Sequence, residues 1–291
     1  MGKHAFNYQT MDNGNVWSSI LVDSFMSKYF VNGRIINPNN LPIPGVTVKV
    51  NTIDSLYTTA DGTYNYVFST GGNYTITPSK NNDIVKASGV NVLDVLLMQK
   101  HITGAQLLNT PYKLIAADVN NTNSINIFDV LFTKRLILGI DTTFVGSRLW
   151  AFTDSSYVFP DPTNPGSYIN SITINNLSGN QIDKTLIGVK LGDVNIDLIP
   201  TVGVNRISRQ GIPVKLYHDT IYTSKIENQI RLCIKAKNFK DLVGMQFTLK
   251  FNKNVLAFSS IENKNITMDY GLQKAKDGSI SFVWTDSAAN V

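Results

Sequence analysis

The chain has 291 residues, which is enough for two or three domains of ordinary size. Only 16% of the residues are charged, and Glu227 and Glu262 are the only glutamates. This composition is more typical of β-rich extracellular modules than of cytosolic helical enzymes. The net charge of +5 comes from Lys and Arg residues scattered along the sequence, so no basic face for nucleic-acid binding is predicted.

Residues 1–29 are poorly patterned and are compatible with one strand or a short helix. The first residues, MGKH, are not followed by an apolar core and do not form a secretion signal. If the protein is exported, we expect its signal peptide to be absent from this chain. No apolar stretch reaches 18 residues, so no membrane span is predicted.

Residues 30–79 are predicted to form a small antiparallel β domain. Alternating apolar residues indicate strands at 31–36, 46–50, 64–68 and 74–77, with a tight Asp-Gly turn at 60–63. The order G-x-[VI], P-x-x-G-V-T-V, T-T-x-D-G-T-Y and G-x-Y-T-I-T-P resembles the carboxypeptidase regulatory-like domain, a transthyretin-like sandwich. The resemblance implies a structural spacer of secreted proteins, without catalysis.

Residues 80–140 contain an internal repeat. GVNVLDVLLMQKHITG at 89–104 and SINIFDVLFTKRLILG at 124–139 align without a gap at an offset of 35 residues. The second copy follows an Asp/Asn-rich loop that leads into an apolar helix. This pattern is typical of a calcium-binding loop and not of a catalytic site.

The second copy supplies an oxygen at every ligand position of a 12-residue calcium loop. Positions 1, 3, 5, 7 (through its carbonyl) and 12 are Asp118, Asn120, Thr122, Ser124 and Asp129. Position 6 holds Asn123, and Asn is the best substitute for Gly in a left-handed backbone. The alternative without metal is an Asn-rich turn that caps the helix beginning near Asn126.

The first copy is more degenerate. Alignment on Asp94 puts Asp83 at position 1, but Val and Ala at positions 3 and 5 offer no side-chain oxygen. Other sources of ligands, if the chain follows an altered path around the ion, are Asn81, Asn82 or the later Asp193-Val194-Asn195. That tripeptide repeats the start of the second loop, but no apolar helix follows it, so it is predicted to be a turn.

The pattern D-V-N-x-x-x-x-I-N-x-x-D-V-x-x-x-K-R-x-I-L-G resembles a type I dockerin repeat. The family's fold is two calcium loop–helix units, so the resemblance implies Ca²⁺ as cofactor, held by the second-loop residues named above and by Asp83 and Asp94 in the first loop. Thr122 departs from the family's usual Asp and removes one charge. We therefore expect a modest affinity, with Kd of about 10⁻⁴ to 10⁻³ M.

The same resemblance implies a surface that docks a cohesin-like domain. The residues that match the family's contact positions are Val92, Leu93, Ile127, Phe128, Lys134 and Arg135. The four loop residues among them are apolar. Packing of the two helices against each other or against neighbouring β modules is the alternative, and apolar character favours it.

Residues 141–198 are predicted to be a β extension packed on the dockerin-like module. Strands are expected at 150–152, 157–160, 171–174 and 186–191, between turns rich in Asn, Pro and Gly. Residues 199–212, with two Gly and one Pro, are predicted to be a linker.

Residues 213–291 are predicted to form a further β-sandwich, with strands at 214–217, 230–236, 244–251, 255–258 and 278–284. Ala236-x-Asn238-Phe239 and Leu242–Leu249 resemble the first half of a cohesin-like domain, a jelly roll of the carbohydrate-binding-module type. We expect the chain to end inside this sandwich. The single cysteine, Cys233, excludes an intramolecular disulfide and is predicted to be a small buried side chain.

The predicted fold is thus mainly β and multidomain: a β-sandwich, two calcium loop–helix repeats and a truncated jelly-roll sandwich. Together the resemblances imply a non-catalytic, calcium-binding docking or structural region of a modular extracellular or cell-surface protein, as in Bacteroidetes-type bacteria. Its partner would be a cohesin-like domain or a neighbouring domain of the same chain, in assemblies that degrade polysaccharides. The alternative is a carbohydrate-binding module region of a larger secreted glycan-active protein, for which Tyr270 and Trp284 are the candidate aromatics. No catalytic residues are predicted, since no catalytic motif occurs.

Overall fold

The computed structural model describes residues 3–8, 13–14, 21–26, 28–51, 54–68, 72–200, 215–224, 229–237, 242–262 and 266–286. The chain divides into two compact units, residues 1–205 and residues 206–291. The described part is mainly β, with several small sheets and few helices. None of the helices described is both long and apolar enough to cross a membrane.

Unit 1 contains ten strands and three α-helices among its described residues. The strands are β1 Lys3–Tyr8, β2 Leu21–Met26, β3 Tyr29–Ile36, β4 Thr47–Val50, β5 Asp54–Tyr57, β6 Thr63–Phe68, β7 Tyr74–Ser79, β8 Trp150–Asp154, β9 Ile172–Ile174 and β10 Leu186–Lys190. The helices are α1 Val92–Thr103, α2 Pro111–Ala117 and α3 Ile127–Ile137. Strands β1 and β2 pair antiparallel in the segment for which the sequence favoured neither strand nor helix.

Two four-stranded sheets share the core of unit 1. Their strand orders are β6-β3-β10-β8 and β5-β4-β7-β9, and β10 runs parallel to β3 but antiparallel to β8. Buried side chains of both sheets, such as Ile35 on β3, Val48 on β4 and Leu186 on β10, belong to one apolar cluster. Because β8, β9 and β10 complete sheets begun by β3 and β7, the predicted segments 30–79 and 141–198 are parts of the same pair of sheets.

Most strands predicted in unit 1 are confirmed, and the predicted Asp-Gly turn has Gly62 at φ 76°. The strand predicted at 157–160 is wrong. There the chain turns directly after β8, because the Tyr157 N–H donates to the Asp154 carbonyl at 3.1 Å. The ring of Phe159 then packs edge-on against Tyr112 and Tyr157. These aromatic residues therefore stabilise the segment through ring contacts and not through the backbone hydrogen bonds of a strand.

Helices α1 and α3 are the predicted repeat helices, and each begins with the same capping box. Asn91 and Asn126 are the N-caps, and Asp94 and Asp129 accept the cap residue's own N–H at 2.8 and 3.0 Å. The helices touch where Thr133 Oγ1 lies 3.6 Å from the sulfur of Met98, a residue one repeat (35 positions) earlier. A contact between equivalent residues is what an approximate twofold axis produces.

Helix α2 was not anticipated from the sequence. It begins at Pro111, with the Thr110 side chain accepting the Lys113 N–H. A Thr followed by Pro is a recognised start signal, since Thr caps the helix and Pro fits its first position. This signal could have located the helix.

Unit 2 contains two antiparallel groups of strands. Strands β11 Lys215–Ser224 and β12 Gln229–Lys237 pair with each other, and β13 Gly244–Lys250, β14 Asp269–Gly271 and β15 Ser279–Thr285 form a sheet in the order β13-β15-β14. The strand predicted at 255–258 is wrong, because the Leu256 N–H donates to the Asn252 carbonyl in a turn.

Two further predictions concern unit 2 and the segment before it. Cys233 on β12 is exposed, so its predicted burial is wrong. The reason is that side chains 230–235 are exposed in succession, so the described residues cover neither face of this strand there. Residues 201–212 of the predicted linker lie outside the described residues.

A buried ion pair links the start of the helical repeat to the sandwich. The Lys190 ammonium, at the end of β10, lies 2.7 Å from a carboxylate oxygen of Asp83, which also accepts the indole N–H of Trp150 at 2.7 Å. Lys190 is buried and donates further to the Lys86 carbonyl at 2.9 Å. Burial alone would raise the pKa of Asp83, but the charge and hydrogen bond of Lys190 bring that pKa below its usual value.

We predict that Asp83→Ala destabilises unit 1 by about 3–5 kcal/mol, because it leaves the Lys190 ammonium buried without its partner. Urea unfolding followed by circular dichroism measures this loss. The double variant Asp83→Leu/Lys190→Met is the control and should recover much of the stability, since an apolar pair often replaces a buried ion pair at little cost. A loss below about 1 kcal/mol for the single variant would contradict the role given to this pair.

Candidate metal centre

The loop between α2 and α3 is organised around the carboxylate of Asp118. One oxygen accepts the Thr122 N–H at 2.9 Å and the other accepts the Asn123 N–H at 2.8 Å. The Thr122 hydroxyl donates to Asn120 Oδ1 at 2.8 Å and lies 3.3 Å from the Ser124 carbonyl oxygen. The oxygen predicted at position 5 therefore lies beside those predicted at positions 3 and 7.

Asp129, predicted at position 12, closes the loop from the first turn of α3. Its carboxylate is fully buried and accepts the Asn120 N–H at 3.3 Å, in addition to the capping bond from Asn126. Burial raises the pKa of Asp129 above its usual value, and the negative charge of Asp118 acts in the same direction. A cation beside these two carboxylates would relieve both effects.

The backbone at position 6 follows the sequence prediction. Asn123 has φ 61° and Asn121 has φ 60°, so both are left-handed. Asn tolerates this region better than most residues other than Gly. The loop therefore keeps the turn that the family normally builds with Gly.

The donor set suits a hard cation such as calcium, which prefers carboxylate, amide, hydroxyl and carbonyl oxygens. All five predicted second-loop ligands lie in this one loop. Within the described part of the chain, no group of three or more His, Cys, Asp or Glu side chains is placed to hold a metal. The loop must therefore rely on neutral oxygens beside its two carboxylates, which agrees with the modest affinity predicted.

The first loop differs from its prediction. Asp83 does not share a loop with Asp94, because it is engaged with Lys190 and Trp150. The carboxylate of Asp94 instead accepts the N–H groups of Val194 and Asn195, at 2.9 and 3.2 Å. The sequence could hint at this contact only through the repeated Asp-Val-Asn tripeptide.

The predicted docking residues fall into two groups. Leu93 is exposed on α1, and Ile127 and Phe128 are 63% and 59% exposed at the start of α3. Packing, the alternative favoured by the sequence, accounts only for Val92, which is buried. At the other end of α3, Lys134 is half-buried, and the Arg135 guanidinium pairs with Asp141 through two hydrogen bonds of 2.7 and 2.9 Å.

Residues 81–138 match the family model of the dockerin type I domain. This stretch includes α1, α2, α3 and the whole 118–129 loop, and it confirms the resemblance found for the repeat pair. It covers about a fifth of the chain. The comparison with curated proteins gives no match. The resemblances of residues 30–79 and 213–291 to other families remain predictions.

We predict that Asn123→Ala destabilises the calcium-free protein by about 1 kcal/mol, because Ala pays the steric cost of a left-handed backbone more fully than Asn does. Asn123→Gly is the matched control and should be neutral or slightly stabilising at this position. Urea midpoints in a chelating buffer compare the variants. Equal midpoints for the Ala and Gly variants would mean that the turn is not held as described.

Proposed function

We propose that this chain is a non-catalytic, calcium-dependent protein-docking region of a modular extracellular or cell-surface protein. Dockerin type I domains generally bind calcium and dock on cohesin domains. The observation that carries the proposal is the hydrogen-bonded 118–129 loop inside the stretch that matches this family, in which the Asp118 and Asp129 carboxylates accept backbone N–H groups of the loop. A link to polysaccharide-degrading assemblies is part of the proposal and rests on the family alone.

Calcium would connect the loop to the docking surface through α3. Asp118 stands at the end of α2 and Asp129 in the first turn of α3, so an ion bound to both fixes the start of α3 against the loop. Ile127 and Phe128 lie in that same turn and are exposed. Exposed apolar side chains at a fixed helix start suit a partner with an apolar contact face.

The calcium assignment predicts that the intact chain, freed of metal by a chelator, binds Ca²⁺ in the micromolar-to-millimolar range by calorimetric titration. Asp118→Asn/Asp129→Asn should abolish binding at this loop, because both charged ligands are lost. Asp183→Asn is the control, since Asp183 is an exposed carboxylate outside the loop with φ 59°, which Asn accepts. Unchanged heats in the double variant would refute the assignment.

The docking assignment predicts that Ile127→Ser/Phe128→Ser weakens capture by an intact cohesin-like domain at low salt by at least about tenfold, since truncating exposed contact residues removes about 1–2 kcal/mol or more. The melting temperature should stay within about 2 °C of wild type, because surface substitutions change stability little. Val158→Ser, at another exposed apolar position, is the control. Absence of wild-type binding at high micromolar concentration would remove the docking proposal.

The carbohydrate-binding alternative has weaker support in unit 2. Tyr270 pairs across the sheet with Phe282, and their rings are 6.4 Å apart. Phe282 is buried and stacks on Phe247 at 4.8 Å, and Trp284, two residues further along β15, points to the same side. Tyr270 itself is 38% exposed, but the central aromatic of this face, Phe282, is buried. A sugar platform needs a continuous exposed row of aromatics, which these residues do not form.

A further inference from the structure

The turn after β10 repeats the hydrogen bonds of the 118–129 loop. Asp193 accepts the N–H of Asp197 on one oxygen, at 3.2 Å, and that of Leu198 on the other, at 3.1 Å. These donors lie four and five residues after Asp193, as Thr122 and Asn123 lie four and five residues after Asp118. The two segments therefore wrap their first carboxylate in the same way.

The match extends to the carboxylate that closes each loop. Asn195, at the third position, donates its N–H to Asp94 Oδ1 at 3.2 Å, and Asn120 donates to Asp129 Oδ1 at 3.3 Å. Asp94 and Asp129 are equivalent residues of the sequence repeat. Segment 193–197 thus donates to the closing carboxylate of α1 in the way that segment 118–122 donates to that of α3. In sequence, however, segment 193–197 is about 100 residues from Asp94.

The backbone of the two segments agrees at the fourth position as well. Ile196 has φ 57°, beside φ 60° for Asn121. A β-branched residue seldom adopts this conformation, so the turn is imposed by its surroundings. Gly89 allows the close approach on the other side, because a Cβ there would lie 2.8 Å from Leu198 Cβ and 3.3 Å from a carboxylate oxygen of Asp193.

The Lys190 ammonium is paired with Asp83 and acts on Asp193 only at longer range, so it balances this second arrangement only in part. Asp94 is completely buried and Asp193 is 3% exposed, and no ion pair among the described residues includes either of them. Burial, and next the charge of Asp193, raise the pKa of Asp94 well above its usual value. Burial raises the pKa of Asp193 to about 7. Asp83, by contrast, has Lys190 as its buried partner.

We infer that Asp193, Asn195 and Asp197 join Asp94 to form a second, composite calcium site, assembled from two segments of the chain distant in sequence. The inference rests on the calcium binding proposed for the 118–129 loop. Asp193 and Asp94 take positions 1 and 12, Asn195 takes position 3, and Asp197 takes position 5. Asp197 is exposed and accepts a hydrogen bond from the Asn195 amide at 2.9 Å, so the three carboxylates are not gathered as a metal-holding group in the structure as it stands. The Asp197 carboxylate has to turn toward the ion to complete the site.

This site carries one more carboxylate than the 118–129 loop, because Asp197 stands where that loop has Thr122. Since calcium affinity rises with the number of charged ligands, the composite site is expected to bind first. Residues 193–197 lie outside the 81–138 stretch that matches the family model, so the match by itself does not assign them.

Calorimetric titration of Ca²⁺ into the intact, chelator-treated chain tests the inference. Wild type is expected to show two sites. Asp193→Asn/Asp197→Asn should remove the tighter one and leave the weaker, while Asp118→Asn/Asp129→Asn should remove the weaker one. Asp197→Asn alone changes an exposed side chain and should weaken the tighter site by about tenfold without altering the melting temperature in chelator. Asp183→Asn should behave as wild type.

The outcomes separate the two proposals. A single site that is lost in Asp118→Asn/Asp129→Asn and kept in Asp193→Asn/Asp197→Asn would overturn the composite site and leave the proposed function intact. A single site with the opposite behaviour would support the composite site and overturn the assignment of the 118–129 loop. No binding by wild type would overturn both. If the Asp193/Asp197 double variant does not fold, unchanged tight binding in Asp197→Asn would overturn the role of Asp197 and with it the four-residue site.

Discussion

Strand β10 is buried at all five positions, with β3 on one side and β8 on the other. Its pairing with β3 is parallel, and parallel neighbours require a crossover connection. In this protein the crossover contains the whole helical repeat. In sequence, the dockerin-like helices are therefore an insertion between strands of one pair of sheets. Their placement depends on the return of the chain to the core at β10.

The return strand contacts the start of the helical repeat twice. Lys190, its last residue, pairs with Asp83, and the turn that follows donates its N–H groups to Asp94. The first contact is a buried pair of opposite charges. The attraction between the two charges offsets part of the free-energy cost of removing them from water. The second brings Asp193 beside Asp94 with backbone N–H groups as the only protein donors described. The same junction thus holds one carboxylate with a direct ion pair, Asp83, and two carboxylates without one among the described residues. At the latter two a divalent cation would have an electrostatic role.

Sequence patterns predicted well what depends on neighbouring residues. The alternating strands of residues 30–79 and the left-handed backbone at Asn123 are local, so the order of residues was sufficient to predict them. The partners of Asp83 and Asp94 depend on contacts across about 100 residues, which spacing cannot reveal. Tyr157 and Phe159 gave a false strand, because aromatic residues favour strands in general but pack here through their rings after a turn.

The proposed division of one calcium loop between two segments would have a mechanical consequence. A continuous loop such as 118–129 fixes a helix only to the residues immediately before it. A composite loop would fix α1 to the end of β10, and hence to the sandwich core. If both sites are filled, α3 is ordered by its own loop while α1 is anchored to the sheets, and the two helices are joined at the contact of Met98 with Thr133. Calcium would then hold the exposed residues at the start of α3 in a fixed position relative to the core of unit 1, which a partner of defined shape requires.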